Sequence, residues 1–435
     1  MSLSEGRPTD QTGLRRANLG LVLRVLRTHG PQSRAGLARL TGLNKATVSS
    51  LVAELEQRRL VCPGGTVAGA PGRPGQLVEL RPRTVFGIGL EANVDYAAVA
   101  VMDLTGELVE HRRTACDLAG AGVDAALDVL ADLAAGALRS VAEAGGWAAG
   151  ITLGVPGLVD HRNGVVHLAP NLRWRGAAVA DGLAARLGIG LDRVRVDNDA
   201  NLSALAEHAF GVAAGTPDLL YLTGEVGVGG GVIAGGRLLR GASGYTGEVG
   251  HMPLDPLGQY CGCGRRGCWE TQVGLAALLR AVAGPDDPVR NPTLDLEQRL
   301  AEIESRARGG DRRTVDALQQ IGAALGVGAS ILVNVLNPAV VVLGGYFAML
   351  SEWLVEPARV ELATRVVAPR AGGCQLLPSN LGFTAAVRGG AHAAMERVLD
   401  DPTLVPLGGD VPAGDGRLPA SGAGAHGAGR TEASA

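Results

Sequence analysis

The run that most narrows what this chain can fold into places His251, Cys261, Cys263 and Cys268 at H-x9-C-x-C-x4-C, with Glu270 two residues beyond. One imidazole and three thiols are the number and type of donors that close a tetrahedral zinc site. Glycines at 262, 264 and 267 let so short a segment turn around one structural ion. Six cysteines occur in 435 residues, and three of them lie in this run. That clustering points to metal rather than a disulfide framework, and to a reducing, cytoplasmic setting. Reduced free thiols are the alternative reading.

Charge divides the chain unequally. Residues 1–83 hold 13 Arg/Lys against 5 Asp/Glu, while the whole chain sums to −3. A basic head on an acidic body means that the head is the part suited to a polyanion. Its pattern is that of a winged helix. Apolar residues at Leu14, Leu21, Val22, Val25 and Leu26 give a first helical period over 13–29. Ser33 is placed to cap a short second helix, and Thr41-Gly42-Leu43 to turn it. Asn44 is placed to cap a third, with Val48, Leu51, Val52 and Leu55 on one face. Lys45, Thr47, Ser49 and Ser50 lie on the other face, as residues that enter a major groove do. A hairpin over 60–80 carries Arg73 at a Pro/Gly-rich tip, suited to a minor groove. A small helical bundle that docks on the body is the alternative.

From Val85 the pattern becomes strands and helices. Strands are expected at 85–91, 96–103, 108–114, 151–155, 194–196, 219–222, 228–233 and 340–343. Helices are expected near 122–144, 200–210, 271–283, 293–307, 312–336, 347–366 and 383–399. Two stretches that each open with strands suggest a duplicated fold. No apolar run reads as a membrane span, and the polar N-terminus does not read as a signal peptide. The expected organisation is a flexible arm over 1–12, a winged helix-turn-helix over 13–83, a two-lobed body over 84–400 and a Gly/Ala-rich disordered tail over 401–435.

Within the body, Gly154-Val155-Pro156-Gly157, Asn171-Leu172-x-Trp174, Asp197-Asn198-Asp199-Ala200-Asn201, Gly247-Glu248-Val249-Gly250-His251 and Cys268-Trp269-Glu270 occur in an order and spacing that resembles the ROK family. The opening segment 87–95 is similar to its xylose-repressor-like branch. The resemblance implies an α/β, actin-like (ribonuclease-H-like) two-lobed fold behind the α winged helix-turn-helix. It implies a sugar site at Asn171, Asn198, Asp199, Glu248, His251 and Glu270, with His251, Cys261, Cys263 and Cys268 on zinc. Operator DNA, a sugar effector and a homodimer or homotetramer are the implied partners, with no membrane. Asn171 as a turn residue and Asp199 as a helix N-cap are the plainer readings.

The resemblance also admits an ATP-dependent carbohydrate kinase, and the sequence argues against it. A nucleotide-holding loop needs glycine and small hydroxyl residues around the phosphates. Here Gly87 replaces the expected Asp, Leu90-Glu91 replaces Gly-Thr, and Glu225-Val226 stands in the second loop. Tyr346 is expected to crowd a nucleotide at the third. A sugar-responsive DNA-binding regulator with no catalytic residue, Asp199 being a vestigial base, is the expected function.

Overall fold

The computed structural model describes residues 11–66, 76–367 and 373–408. The hairpin tip with Arg73 lies outside them, as do 1–10 and 409–435.

The head is built from three helices: α1 (Gln11–His29), α2 (Arg34–Thr41) and α3 (Lys45–Gln57). Ser33 Oγ accepts from the Gly36 amide and caps α2, and Gly42 turns it off in the left-handed region at φ 73°. Asn44 caps α3 through the Thr47 amide at 2.8 Å. Strand β1 (Gln32–Ser33), too short for any periodicity to reveal, joins β2 (Val61–Thr66) and β3 (Gln76–Leu80) in a sheet of order β1-β3-β2. Val48, Leu51, Val52 and Leu55 are buried as the helical spacing requires. The stripe of α1 is the expected one at Val22, Val25 and Leu26, which are buried, and not at its other two positions. Leu14 and Leu21 are exposed, and Leu19, Val22, Leu23 and Leu26 fill the core. The register is set by α3 and by a partner from the far end of the chain.

That partner is the helix Ala385–Asp400. Gly20 lies so close to it that a β-carbon there would strike the Leu399 carbonyl. Arg24 reaches Glu396 at 2.8 Å, Arg27 reaches Glu396 at 3.1 Å, and the Arg27 guanidinium lies against the His392 ring. Residues 401–408, expected to be disordered, are instead laid over the head. Arg58 donates to the carbonyls of Thr403 (3.1 Å) and Val405 (2.7 Å), and the Gly408 amide donates to Gln57 at 2.7 Å. The sequence reading missed this because a single buried turn carries no period. The buried core of the head therefore runs without a break into Ala391, Met395, Val398 and Leu399.

The body repeats one topology. Its first sheet runs Val194–Asn198, Trp147–Val155, Val85–Ala92, Tyr96–Asp103, Leu108–Ala115. The second runs Gln375–Pro378, Val340–Gly345, Leu219–Gly224, Val228–Ala234, Arg237–Leu238. Each is a three-strand antiparallel meander whose first strand pairs in parallel with a later strand, which in turn pairs in parallel with a still later one. A small third sheet over 158–177 was not foreseen, since its strands are three to five residues long. The helix expected at 271–283 is broken at Gly274, whose extended backbone separates Glu270–Val273 from Leu275–Val282. Contrary to the sequence reading, Arg312–Leu336 is long and apolar enough to cross a membrane. Its buried side, including Leu318, Ile321 and Leu325, forms part of the second lobe's core.

Gly20 and Gly13 make a matched test of the head-to-body contact. Gly20→Ala should destabilise the protein by about 1–3 kcal/mol through overpacking. Gly13→Ala, where nothing lies within 4 Å of the new methyl group, should be neutral or stabilising by up to ~1 kcal/mol from helix propensity. Denaturant unfolding monitored by circular dichroism measures both, and equal effects would rule out the close contact.

Candidate functional site

Between the lobes lies a cavity of about 360 Å³. All six residues marked out in the sequence as a binding set, Asn171, Asn198, Asp199, Glu248, His251 and Glu270, line it. They come from separate elements. Asn171 sits on a short turn between the last two strands of the third sheet, and Asp199 opens the helix Asp199–Phe210 at the end of the first sheet's edge strand Val194–Asn198. The N-cap of that helix is Asn198, not Asp199: its Oδ1 accepts from Asn201 at 3.0 Å and its Nδ2 donates to the Gly157 carbonyl at 3.2 Å. Asp199 is thereby left with one backbone partner, the Ala200 amide at 2.9 Å. Asp197 is held by a two-pronged ion pair from Arg240, at 2.6 and 2.9 Å, which ties the first lobe's strand to the second lobe.

Beside the cavity, the donor atoms of His251, Cys261, Cys263 and Cys268 all lie within 4.8 Å of one another. The Cys263 and Cys268 sulfurs are 3.7 Å apart. Metal–sulfur bonds of ~2.3 Å in a tetrahedron require about 3.8 Å, so the set fits a four-coordinate metal. His251 turns Nδ1 to Cys261 Sγ at 3.6 Å, and its Nε2 stands 3.9 Å from Glu248 in the cavity wall. Glu270 is held between the thiols and the glycine-rich strand, with Cys261 Sγ at 3.4 Å and the Val228 amide donating at 3.1 Å.

Two wall residues were not assigned to the site from the sequence. Asn93 and Glu225 meet across the lobes, with Asn93 Nδ2 donating to Glu225 Oε2 at 2.7 Å. Glu225 had been noted only as an odd residue in a glycine loop. Tyr96 donates its hydroxyl to Glu91 at 2.6 Å, and Arg113 covers the Tyr96 ring at 3.9 Å. Arg113 also pairs with Glu297 of the second lobe at 2.5 Å. The expectations about the glycine segments need correction. Gly87 and Gly89 face the helix Ala385–Asp400, where β-carbons would meet the carbonyls of Ala391 and Val387. Leu90 belongs to the first lobe's core. Tyr346 does not crowd the cleft: it is wholly buried and donates its hydroxyl to the Val273 carbonyl.

The four proposed DNA-facing residues described by the structure lie along one turn and a half of α3. Lys45, Ser49 and Ser50 are exposed and Thr47 is half-buried. Ser49 is turned back onto the Lys45 carbonyl at 2.9 Å, and Ser50 accepts from Arg15 at 3.3 Å.

Burial raises several carboxyls here. Glu91 is pushed up to about 7 by burial, with the charge of Asp199 adding to it. Asp199 is pushed up to about 6 by burial and by Asp197. Burial, then Glu91 and Asp199, hold Glu225 well above the usual carboxylate range. Raised carboxyls bind protons in the folded chain that the unfolded chain releases. Their stabilising contribution is therefore complete below the ordinary carboxyl range and lost as pH rises toward about 7. Thermal stability should fall from about pH 5 to about pH 8, and Glu91→Gln should flatten that fall. An unchanged slope in the variant, measured by calorimetry, would show that Glu91 is ionised throughout.

Comparison with known proteins places these features. The ROK family model matches residues 87–397 and the MarR family model matches 20–66. The xylose repressor of Bacillus spizizenii is 31% identical over 393 residues, which is 90% of this chain and 98% of that protein. The crystal structure of a ROK family transcriptional regulator, a homologue of the E. coli MLC protein, shares the fold. It superposes with a TM-score of 0.73 at 24% identity, covering 89% of this chain and 97% of its own. A ROK family glucokinase from Streptomyces griseus, solved with glucose and AMPPNP, matches with a TM-score of 0.59 at 27% identity. It covers 72% of this chain and 99% of its own. With a family model spanning most of its length and a relative of this identity along nearly the whole of it, the chain belongs to the ROK family.

Proposed function

We propose that this protein is a sugar-responsive transcriptional repressor of carbohydrate-utilisation genes, acting in the cytoplasm. The reading rests above all on one pairing within a single chain. A basic winged helix is fixed to the end of the same helix that packs at Leu202 against the helix opened by Asp199, and Asp199 belongs to a wall of convergent polar side chains. Such a wall suits a polyhydroxylated ligand, because carboxylates accept from hydroxyls and asparagine both donates and accepts. Residues 13–83 are the proposed DNA-binding unit, through Lys45, Thr47, Ser49, Ser50 and Arg73. Residues 84–400 are the proposed sugar-binding unit, through Asn171, Asn198, Asp199, Glu248, His251 and Glu270. Ser49 and Ser50, already engaged within the head, must exchange those partners for DNA, so Lys45 and Arg73 carry more of the proposal. Xylose is the first sugar to test, since a relative matched over nearly the whole chain at 31% identity is named for it.

Zinc is the proposed occupant of the three thiols and His251, and it supplies structural order there. His251, held through Nδ1, keeps Nε2 toward the cavity, so the metal loop and the sugar wall share one residue. Kinase activity is not part of the proposal. Glu270 takes the Val228 amide in the glycine-rich segment, which a nucleotide phosphate would need. The Asn93–Glu225 bond joins the two lobes across the same cleft. A homodimer or homotetramer matches a two-fold operator. Sugar can change operator affinity only through different affinities for two arrangements of the lobes.

Selection of genomic fragments by the zinc-loaded protein should recover a two-fold symmetric sequence whose binding changes when the effector sugar is added. Lys45→Ala should cost about 1–3 kcal/mol of operator affinity without altering sugar affinity. Recovery of no preferred sequence, or ATP turnover with any bound sugar, would overturn the reading. Cys263→Ser should lose the metal, measured by elemental analysis, and weaken sugar binding, measured by titration. Metal loss with undiminished sugar affinity would separate the two sites.

A further inference from the structure

Of the 40 lysine and arginine residues in this chain, 39 are arginine, and the one lysine is Lys45. It stands at the first position of α3, the helix proposed to read DNA. Neither packing nor ion pairing accounts for it there. Lys45 is exposed. Arg15, Arg16, Arg24, Arg27 and Arg34 of α1 and α2 each pair with a carboxylate, whereas among the described residues no acid pairs with Lys45. Asn44 caps the helix, and Ser49 bonds the carbonyl of Lys45 rather than its amine. The position is also electrostatically unfavourable. The first turn of α3 holds no acidic residue, and its free amides form the positive end of the helix, where a cation is disfavoured. Arginine would bring the same charge. What lysine alone offers is a primary amine that an acyl group can neutralise, whereas a guanidinium stays charged.

We propose that Lys45 is an acylation site, at which an activated acyl donor, an acyl phosphate or an acyl thioester, switches off DNA reading. The inference rests on the DNA-binding role proposed for Lys45 and adds a control to it. The neutral amine attacks the acyl carbon, and an amide C–N bond forms. The C–O bond to phosphate, or the C–S bond to the thiol, breaks. Inorganic phosphate or the free thiol leaves with the bonding pair, and the proton of the amine passes to solvent. The product carries no charge, so it neither replaces a counterion on the DNA backbone nor makes a charged hydrogen bond to guanine. Two heads on a two-fold site double the loss. Methylation would keep the charge, so acylation is the lysine modification that acts here. Taking a cation away from the positive end of α3 does not weaken the helix, so the effect falls on DNA and leaves the head folded. With no second lysine to share the modification, one event sets the state of each head.

The test uses the zinc-loaded full-length protein and the operator recovered by fragment selection. The protein is incubated with acetyl phosphate or, separately, with acetyl-CoA, and peptide mass spectrometry locates the added acetyl group. Operator affinity is then measured by fluorescence anisotropy and thermal unfolding by circular dichroism. Acetylation at Lys45 by either donor should weaken operator binding at least about tenfold, with no fall in melting temperature, and the donor that acts names the source. Lys45→Arg, compared with its own untreated affinity, should show no such loss on treatment. Lys45 left free by both donors, while a peptide of residues 41–50 is acetylated, overturns the inference. So does an acetylated protein that binds operator as the untreated one does, a loss that Lys45→Arg shares, or a loss that accompanies unfolding. Untreated protein that binds no operator overturns the DNA-binding reading, and the inference falls with it.

Discussion

The helix Ala385–Asp400 is the contact on which the rest of the structure depends, and what lets it serve is backbone packed against backbone. Gly87 and Gly89 of the first lobe's central strand admit its carbonyls, and Gly389 lies against Leu202 of the Asp199 helix. At its far end the same helix receives Gly20 of the head. Glycine at each crossing removes the side-chain layer that ordinarily cushions packed elements, so the distances there are set by main-chain atoms that cannot change rotamer. A shift of the Asp199 helix is therefore transmitted as a rigid displacement rather than absorbed by repacking. This is the physical requirement for a distant head to sense a small ligand.

The cavity has a complementary logic. Its two walls belong to different lobes, and three polar pairs bridge them: Arg240 with Asp197, Asn93 with Glu225, Arg113 with Glu297. Polar bridges in a cleft exchange readily for ligand or water, whereas the apolar cores within each lobe do not. The thiol–imidazole loop joins the two features, because His251 and Glu270 each touch both the thiol cluster and the cavity.

Much of this was legible in the sequence because it depends on residue type at fixed spacing. The caps at Ser33 and Asn44, the apolar face of α3, the thiol–imidazole cluster and the six cavity residues all belong to that class. What was not legible depends on encounters between distant segments. Leu14 and Leu21 fit a helical stripe yet face solvent, since Gly20 turns the other side of α1 toward residues some 370 positions away. Tyr346 followed a glycine pair in a way that suggested a blocked cleft, and its ring instead fills the second lobe's core. Glu225 stood out as a residue foreign to a phosphate loop, but its partner Asn93 lies 132 positions earlier and no local pattern connects them. The glycines of 87–89 invited a ligand-centred explanation, although helix packing accounts for them.

The strap of residues 401–408 has a consequence for how the protein is made. Arg58 and Gln57, near the end of the head's third helix, receive their partners from Thr403, Val405 and Gly408. The ribosome therefore releases the head long before the segment that completes its buried side. At about 5–20 residues per second, that interval is roughly 20–70 s. Throughout it, the apolar side of α1 that later meets Val398 and Leu399 stands open to solvent. The head is synthesised before the body and sealed only after it, so a nascent polypeptide carries a head that lacks its seat.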